Sequence, residues 1–78
     1  MNYEEEEYEI DIVSMTKTEL AMLYAPDLTP HSAVNRLAKW IACNKLLTAA
    51  LRRTGYRKTA RRFSPKQVKL IFHYLGEP

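Results

Sequence analysis

The residue types that most often carry metal or acid–base chemistry are few in this chain and far apart. Histidine occurs only at positions 31 and 73, and Cys43 is the single cysteine. Because a zinc ion needs about four clustered ligands, this set does not predict a metal site. Nearly all carboxylates precede residue 28, so the rest of the chain has no pair of acids for general acid–base catalysis. We therefore expect no enzymatic activity, no cofactor and no small-molecule substrate.

The polar side of one predicted helix has side chains that could contact DNA. Its outward residues are His31, Ser32, Asn35, Arg36 and Lys39. Arginine pairs with guanine and asparagine with adenine in the major groove, and lysine suits phosphate. In a helix-turn-helix unit the N-terminal residues of the second helix meet the base edges. These residues therefore predict a helix that enters the groove, although every amphipathic helix also has a solvated face.

A basic segment follows some twenty residues later. Six bases occur within eleven residues, at Arg52, Arg53, Arg57, Lys58, Arg61 and Arg62. A basic loop or short hairpin between helices is what a wing needs in order to lie along phosphates, and a solvated surface is the simpler alternative. Tyr56 and Phe63 flank the segment. They could stack on bases, but we expect them to anchor its two ends in the core.

The charges divide the chain into two parts. Residues 1–27 hold eight acids and one base, a balance of −7, whereas residues 28–78 hold eleven bases and one acid, a balance of +10. A body this basic attracts anionic polymers. The acidic arm either folds back over the basic body or is a solvated tail, and the sequence does not choose between the two.

Cap signals and apolar spacing predict four helices. Thr16 and Glu19 form a capping box before the first helix. A threonine or serine followed by proline opens two later helices, because these pairs suit the N-cap and the first helical position. Gly55 and Gly76 suit the ends of the third and fourth helices. The predicted bounds are 17–24, 30–42, 45–53 and 65–75.

Residues outside these helices complete the predicted organisation. A short extended piece is expected over residues 9–14, within a partly disordered acidic arm at 1–14, and the folded domain is expected at 15–78. We expect Tyr24, Trp40 and Phe72 to pack in the core. One unpaired thiol favours the cytoplasm. The chain lacks a secretory signal and an apolar stretch near 20 residues, so we expect no membrane partner.

Residues 15–78 resemble a small family from gut Bacteroides, the domain of unknown function 4248 family. The resemblance depends on the ELA-LY-PDLTP run, the Trp40-Ile41 and Gly55-Tyr56 pairs, and the FSPKQV-LI-YLGEP ending. More distantly, the run from Gly55 to Pro65 resembles the DNA-binding half of MerR-type regulators and phage excisionases. In those proteins a wing closes on Gly-Tyr-Arg and Ser-Pro opens the next helix. The third helix departs from that pattern, and so does the absence of a long coiled coil after the module.

The resemblance and the residues together predict a mainly α, small winged-helix-like helix-turn-helix domain. Its minor β element would be the wing and a possible N-terminal strand. The expected function is binding of double-stranded DNA, as a transcriptional or mobile-element (excisionase-like) accessory factor. The alternative is a protein–protein interaction module that binds a partner or forms a homodimer, without binding nucleic acid.

Overall fold

Four helices and a two-stranded antiparallel sheet make up residues 13–78, the part of the chain that the computed structural model describes. In chain order these are β1 (Met15–Thr16), α1 (Lys17–Tyr24), α2 (Pro30–Cys43), α3 (Lys45–Arg53), β2 (Arg62–Phe63) and α4 (Pro65–Leu75). The expectation of a mainly α domain with a minor β element is confirmed. The acidic arm falls mostly on residues 1–12, outside the described residues. Of the extended piece expected over residues 9–14, only Val13 and Ser14 are described, and they are not in a strand, whereas Met15 and Thr16 are.

The helices begin where their caps predict. The hydroxyl of Thr16 accepts from the backbone N–H of Glu19 at 3.0 Å, and the Glu19 carboxylate accepts from the Thr16 N–H at 2.9 Å. That second bond lowers the pKa of Glu19. Ser64 and Gln67 form an equivalent box before α4. Asn44 separates α2 from α3, since its side chain accepts from the N–H of Leu47. Local hydrogen bonding therefore fixes these boundaries.

The β element differs from the hairpin considered above. Residues 54–61 form a loop with a turn in which the N–H of Ala60 donates to the carbonyl of Arg57 at 3.0 Å. Strand β2 pairs with β1 in the register Met15↔Phe63 and Thr16↔Arg62. The basic segment therefore does not form a hairpin of its own. Its last residues, in β2, pair instead with β1 at the start of the domain. Local sequence could not predict this pairing, because the partners lie more than forty residues apart.

The core lies where the apolar sides of the four helices meet Phe63. Its largest fully buried side chains are Leu20, Leu47, Leu51, Phe63, Val68 and Ile71. Phe72 is buried and Tyr24 is partly buried, as expected. Trp40 was expected in the core, but it is 39% exposed. It follows the buried Leu37 by three residues, about 60° short of a full turn, so it lies at the edge of the apolar stripe and meets Tyr24 edge-on.

Tyr24 joins α1 to the end of α4, because its hydroxyl donates to the carbonyl of Gly76. Burial, with a smaller contribution from the nearby Glu77 carboxylate, raises the pKa of Tyr24 to about 12. The folded state therefore favours the neutral phenol, which gives stability that is present below the ordinary pKa near 10 and lost as pH rises toward 12.

We expect the Tyr24→Phe variant to lose less stability than the wild type between about pH 10 and pH 12. Below pH 10 the variant should be less stable by about 1 kcal/mol, because the hydrogen bond to Gly76 is lost. Urea unfolding across this pH range measures both effects. An equal fall in the free energy of unfolding of the two proteins between about pH 10 and pH 12 would contradict the assignment of the raised pKa to Tyr24.

Candidate nucleic-acid interface

A groove of about 490 Å³ runs between α2, α3 and the basic loop. Its apolar lining comes from Ala38, Ile41, Ala42, Leu51 and Tyr56, and its polar lining from Lys17, Thr48, Arg52 and Lys58. Three cations from three separate segments therefore border one concave surface. Surface cations gathered on a concave site raise the local concentration of anions.

Lys17 fastens the basic loop to the start of α1. Its ammonium donates to the carbonyl of Lys58 at 2.6 Å and lies 5.1 Å from the centroid of the Tyr56 ring. Its backbone N–H donates to the carbonyl of Arg61 at 3.0 Å. The sequence did not indicate a role for Lys17, since these partners are distant along the chain. The only hint was that it is the single base among the first 27 residues.

Tyr56 and Phe63 hold the two ends of the loop. Their rings stack with centroids 5.4 Å apart, and Phe63 is buried whereas Tyr56 is partly buried. The expectation that they anchor the basic segment in the core is confirmed. Gly55 lets the chain leave α3 toward Tyr56, because its φ of +87° is a conformation that glycine adopts readily. The loop is therefore fixed at both ends while its bases face solvent.

The six bases of the segment are all exposed, but they do not share one surface. Arg52 and Lys58 line the groove. Arg53 follows Arg52 by one residue, about 100° around α3, and is not among the lining residues. Arg62 lies on β2, where its Nε donates to the hydroxyl of Ser14 at 3.2 Å. Arg57 and Arg61 are exposed on the loop itself.

The predicted groove-reading residues of α2 are likewise all exposed, at His31, Ser32, Asn35, Arg36 and Lys39. Asn35 precedes Ala38 by three residues, so it continues the flank of α2 that borders the groove. Its amide lies 3.3 Å from Nε2 of His31, one turn earlier. Ser32 is engaged at the start of the helix, where its N–H and hydroxyl both contact the hydroxyl of Thr29.

Arg36 is the α2 residue that the structure separates from the groove. It precedes Ala38 by two residues, about 200° around the helix, and precedes Trp40 by four. It therefore lies on the flank that carries Trp40. Lys39 points outward between the two flanks. Of the predicted DNA-contacting residues, Arg52 and Lys58 thus line the groove together with Lys17. Asn35 lies one turn before Ala38 on the adjoining flank of α2, and His31 lies one turn before Asn35.

Few acids are available to neutralise this surface. Residues 13–78 contain all twelve bases of the chain but only three acids, Glu19, Asp27 and Glu77, which gives a formal charge of +9. Glu19 is committed to the Thr16 cap. Acids within residues 13–78 are therefore too few to balance the bases of this range, and a polyanion bound to this surface would release the solvent ions held there.

Two further structural findings concern residues 13–78. No three His, Cys, Asp or Glu side chains in this range lie close enough together to hold a metal ion. No helix in the same range has the length and apolar character required to cross a lipid bilayer.

Comparison with known proteins gives one match. A family model described as a domain of unknown function, DUF4248, matches residues 11–78. No curated protein and no solved structure matches the chain. The family match begins a few residues before the segment in which the sequence resemblance was seen, and it covers all the elements described above.

Proposed function

Because the chain belongs to the DUF4248 family, whose description assigns no activity, we propose a function from the geometry: binding of double-stranded DNA. The groove between α2 and α3 would follow the phosphate backbone. The neighbouring residues of α2 would face the bases. The observation that carries this proposal is the convergence of Lys17, Arg52 and Lys58 on a groove bordered by Ala38 and Ala42 of α2. Asn35 lies one turn before Ala38 on the same flank of that helix.

The proposed contacts divide into two kinds. Arg52 and Lys58, with Arg57 and Arg61 on the same loop, would neutralise phosphates and would bind most sequences. Asn35 could accept and donate at an adenine edge, and this contact would add sequence preference. A domain with few base-reading residues and many cations should bind DNA with modest specificity.

This arrangement supports the role implied by the resemblance to MerR-type regulators and excisionases. We propose that the protein is a cytoplasmic accessory factor of transcription or of a mobile element. The basic loop would act as the wing, although it is closed by β1 rather than by a hairpin of its own. Its fixed ends at Tyr56 and Phe63 favour this role, since a preorganised loop loses little entropy when it binds.

The proposal is tested by fluorescence anisotropy of a labelled duplex of about 20 base pairs, titrated with the full chain over a salt series. Four phosphate contacts, by Arg52, Arg57, Lys58 and Arg61, give a slope of log K against log salt of about −3.5. Affinity should therefore fall about 100-fold between roughly 50 and 200 mM salt. An absence of binding at low salt, or binding that does not weaken with salt, would exclude this mode.

A second candidate function is self-association, favoured by the opposite flank of α2. Trp40, Leu46 and Leu75 border a second cleft of about 440 Å³, and Leu46 is 70% exposed beside it. A projecting leucine next to a cleft on one face is self-complementary, because a two-fold axis places each leucine in the cleft of the other copy. Sedimentation should then show a dimer that the Leu46→Glu variant loses. A monomer at all concentrations would exclude it.

A further inference from the structure

The groove that borders α2 and α3 is amphipathic, which a phosphate backbone alone does not explain. Its rim carries Lys17, Arg52 and Lys58, while its accessible apolar lining comes from the exposed Ala38 and Ala42 and the partly buried Tyr56, above the buried Ile41 and Leu51. A sugar–phosphate chain satisfies the rim but offers little apolar surface to the lining. A ligand that combines carboxylates with an apolar or aromatic side chain satisfies both parts. An acidic peptide with an aromatic residue has this chemistry.

The chain itself contains such a peptide immediately before the described domain. Residues 1–12, MNYEEEEYEIDI, hold six acids together with two tyrosines and two isoleucines. The segment joins the domain beside the groove, because Lys17, which lines the groove, is only five residues after position 12. Ser14 accepts from Arg62, and Met15 pairs with Phe63, so the point of entry lies against the basic loop. Five residues of extended chain span at most about 18 Å.

We propose that the groove is a binding site for an acidic peptide and that its occupant is residues 1–12 of the same chain. The acids of this segment match Lys17, Arg52 and Lys58 in charge, and its tyrosines and isoleucines match the apolar lining. Charge complementarity favours this occupant over the same groove of a second copy, whose Lys17, Arg52 and Lys58 would repel the cations here. Covalent linkage gives the segment an effective concentration of about millimolar, so even weak contacts keep it bound.

One consequence rests on the proposed function. If DNA uses the same groove, residues 1–12 compete with it, and the affinity of the full chain for DNA is lower than that of the unoccupied groove. The protein would then bind DNA fully only when another basic surface captures the acidic segment or when DNA is locally concentrated.

The peptide site itself is tested without nucleic acid. Amide spectra of the full chain are compared with those of the Glu4→Gln, Glu5→Gln, Glu6→Gln, Glu7→Gln variant. We expect shifts at groove residues, notably Thr48, Arg52 and Tyr56, and much smaller shifts around Trp40 and Leu75 on the opposite flank. Changes confined to the substituted residues and their neighbours would overturn the proposal. Because no DNA is present, this outcome would leave the proposed function intact.

A second experiment removes the groove cations that the acidic segment is proposed to contact. In an Arg52→Glu, Lys58→Glu background, neutralising the four glutamates should no longer shift Ala42 and Thr48, since the rim that holds the segment is gone. Shifts that persist in this background would assign the effect to something other than the groove and would overturn the proposal.

Competition is measured separately by DNA affinity. The four-glutamine variant should bind duplex about tenfold more tightly than the wild type. The Asp27→Asn, Glu77→Gln variant controls for added net charge, because its acids lie outside residues 1–12, and it should gain about twofold or less. If the two variants gain the same DNA affinity for each charge removed, net charge explains the gain and competition for the groove is overturned. An absence of DNA binding by every variant would overturn the proposed function but not the peptide site.

Discussion

Replacing Leu47 with alanine should cost the domain about 3 kcal/mol, whereas the same replacement at the adjacent Leu46 should cost about 0.5 kcal/mol or less. Leu47 is fully buried on the inner side of α3, whereas Leu46 is 70% exposed. Truncating Leu47 removes apolar contacts and leaves a cavity that neighbouring side chains fill only in part. Truncating Leu46 removes few contacts, because water already surrounds it.

Leu46 serves as a matched control for Leu47, because both leucines lie in the first turn of α3 and the change to alanine removes the same atoms from each. Thermal unfolding followed by circular dichroism measures the effect. A small domain loses about 4–8 °C for each kcal/mol, so Leu47→Ala should lower Tm by more than about 10 °C, a large part of its marginal stability. An equal decrease in Tm for the two variants would show that the buried side of α3 is not the one that carries Leu47.

Reversing the two exposed groove cations should have the largest effect on DNA binding. The Arg52→Glu, Lys58→Glu variant loses two phosphate contacts and gains two charges that repel the backbone. We expect its affinity for duplex at low salt to fall about 100-fold, and the salt slope to weaken by about two. Fold should be retained, because both side chains are exposed and the bond from Lys17 to residue 58 uses the backbone carbonyl.

The control for this prediction carries the same change of charge on other surfaces. Arg36 lies on the opposite flank of α2, and Arg53, about 100° around α3 from Arg52, is not among the residues that line the groove. The Arg36→Glu, Arg53→Glu variant should lose about fivefold or less, because screening limits the effect of cations outside the contact. Equal losses in the two double variants would show that net charge, rather than the groove, governs binding.

The features predicted well from the sequence are those that depend on neighbouring residues. The capping box at Thr16, the Thr29-Pro30 and Ser64-Pro65 pairs and the cap at Asn44 indicate where the helices begin, so four helices could be placed. Apolar spacing identified much of the buried side of each helix, but Leu23 of α1 and Leu46 of α3, which belong to that spacing, are exposed. It did not place Trp40, because a residue at the edge of the stripe can be buried or exposed according to what packs beside it.

The candidate site was predicted only in part, because it depends on tertiary contacts. The sequence identified two basic groups of residues but not their relative orientation around α2 and α3. Arg36 and Arg52 are both arginines on predicted helices, and nothing in the sequence distinguishes them, yet only Arg52 lines the groove. Lys17 was missed since its partner lies 41 residues away, and the pairing of β1 with β2 was not predicted for the same reason.

Both the proposed DNA binding and the peptide site depend on the groove, and amide shift mapping during titration of the full chain with a duplex of about 20 base pairs tests its role in DNA binding most directly. We expect the amide signals of Thr48, Arg52, Tyr56 and Lys58 to shift together with that of Asn35, while those of Leu46 and Leu75 stay in place. Shifts centred on Trp40 and Leu46, or no shifts at low salt, would contradict it.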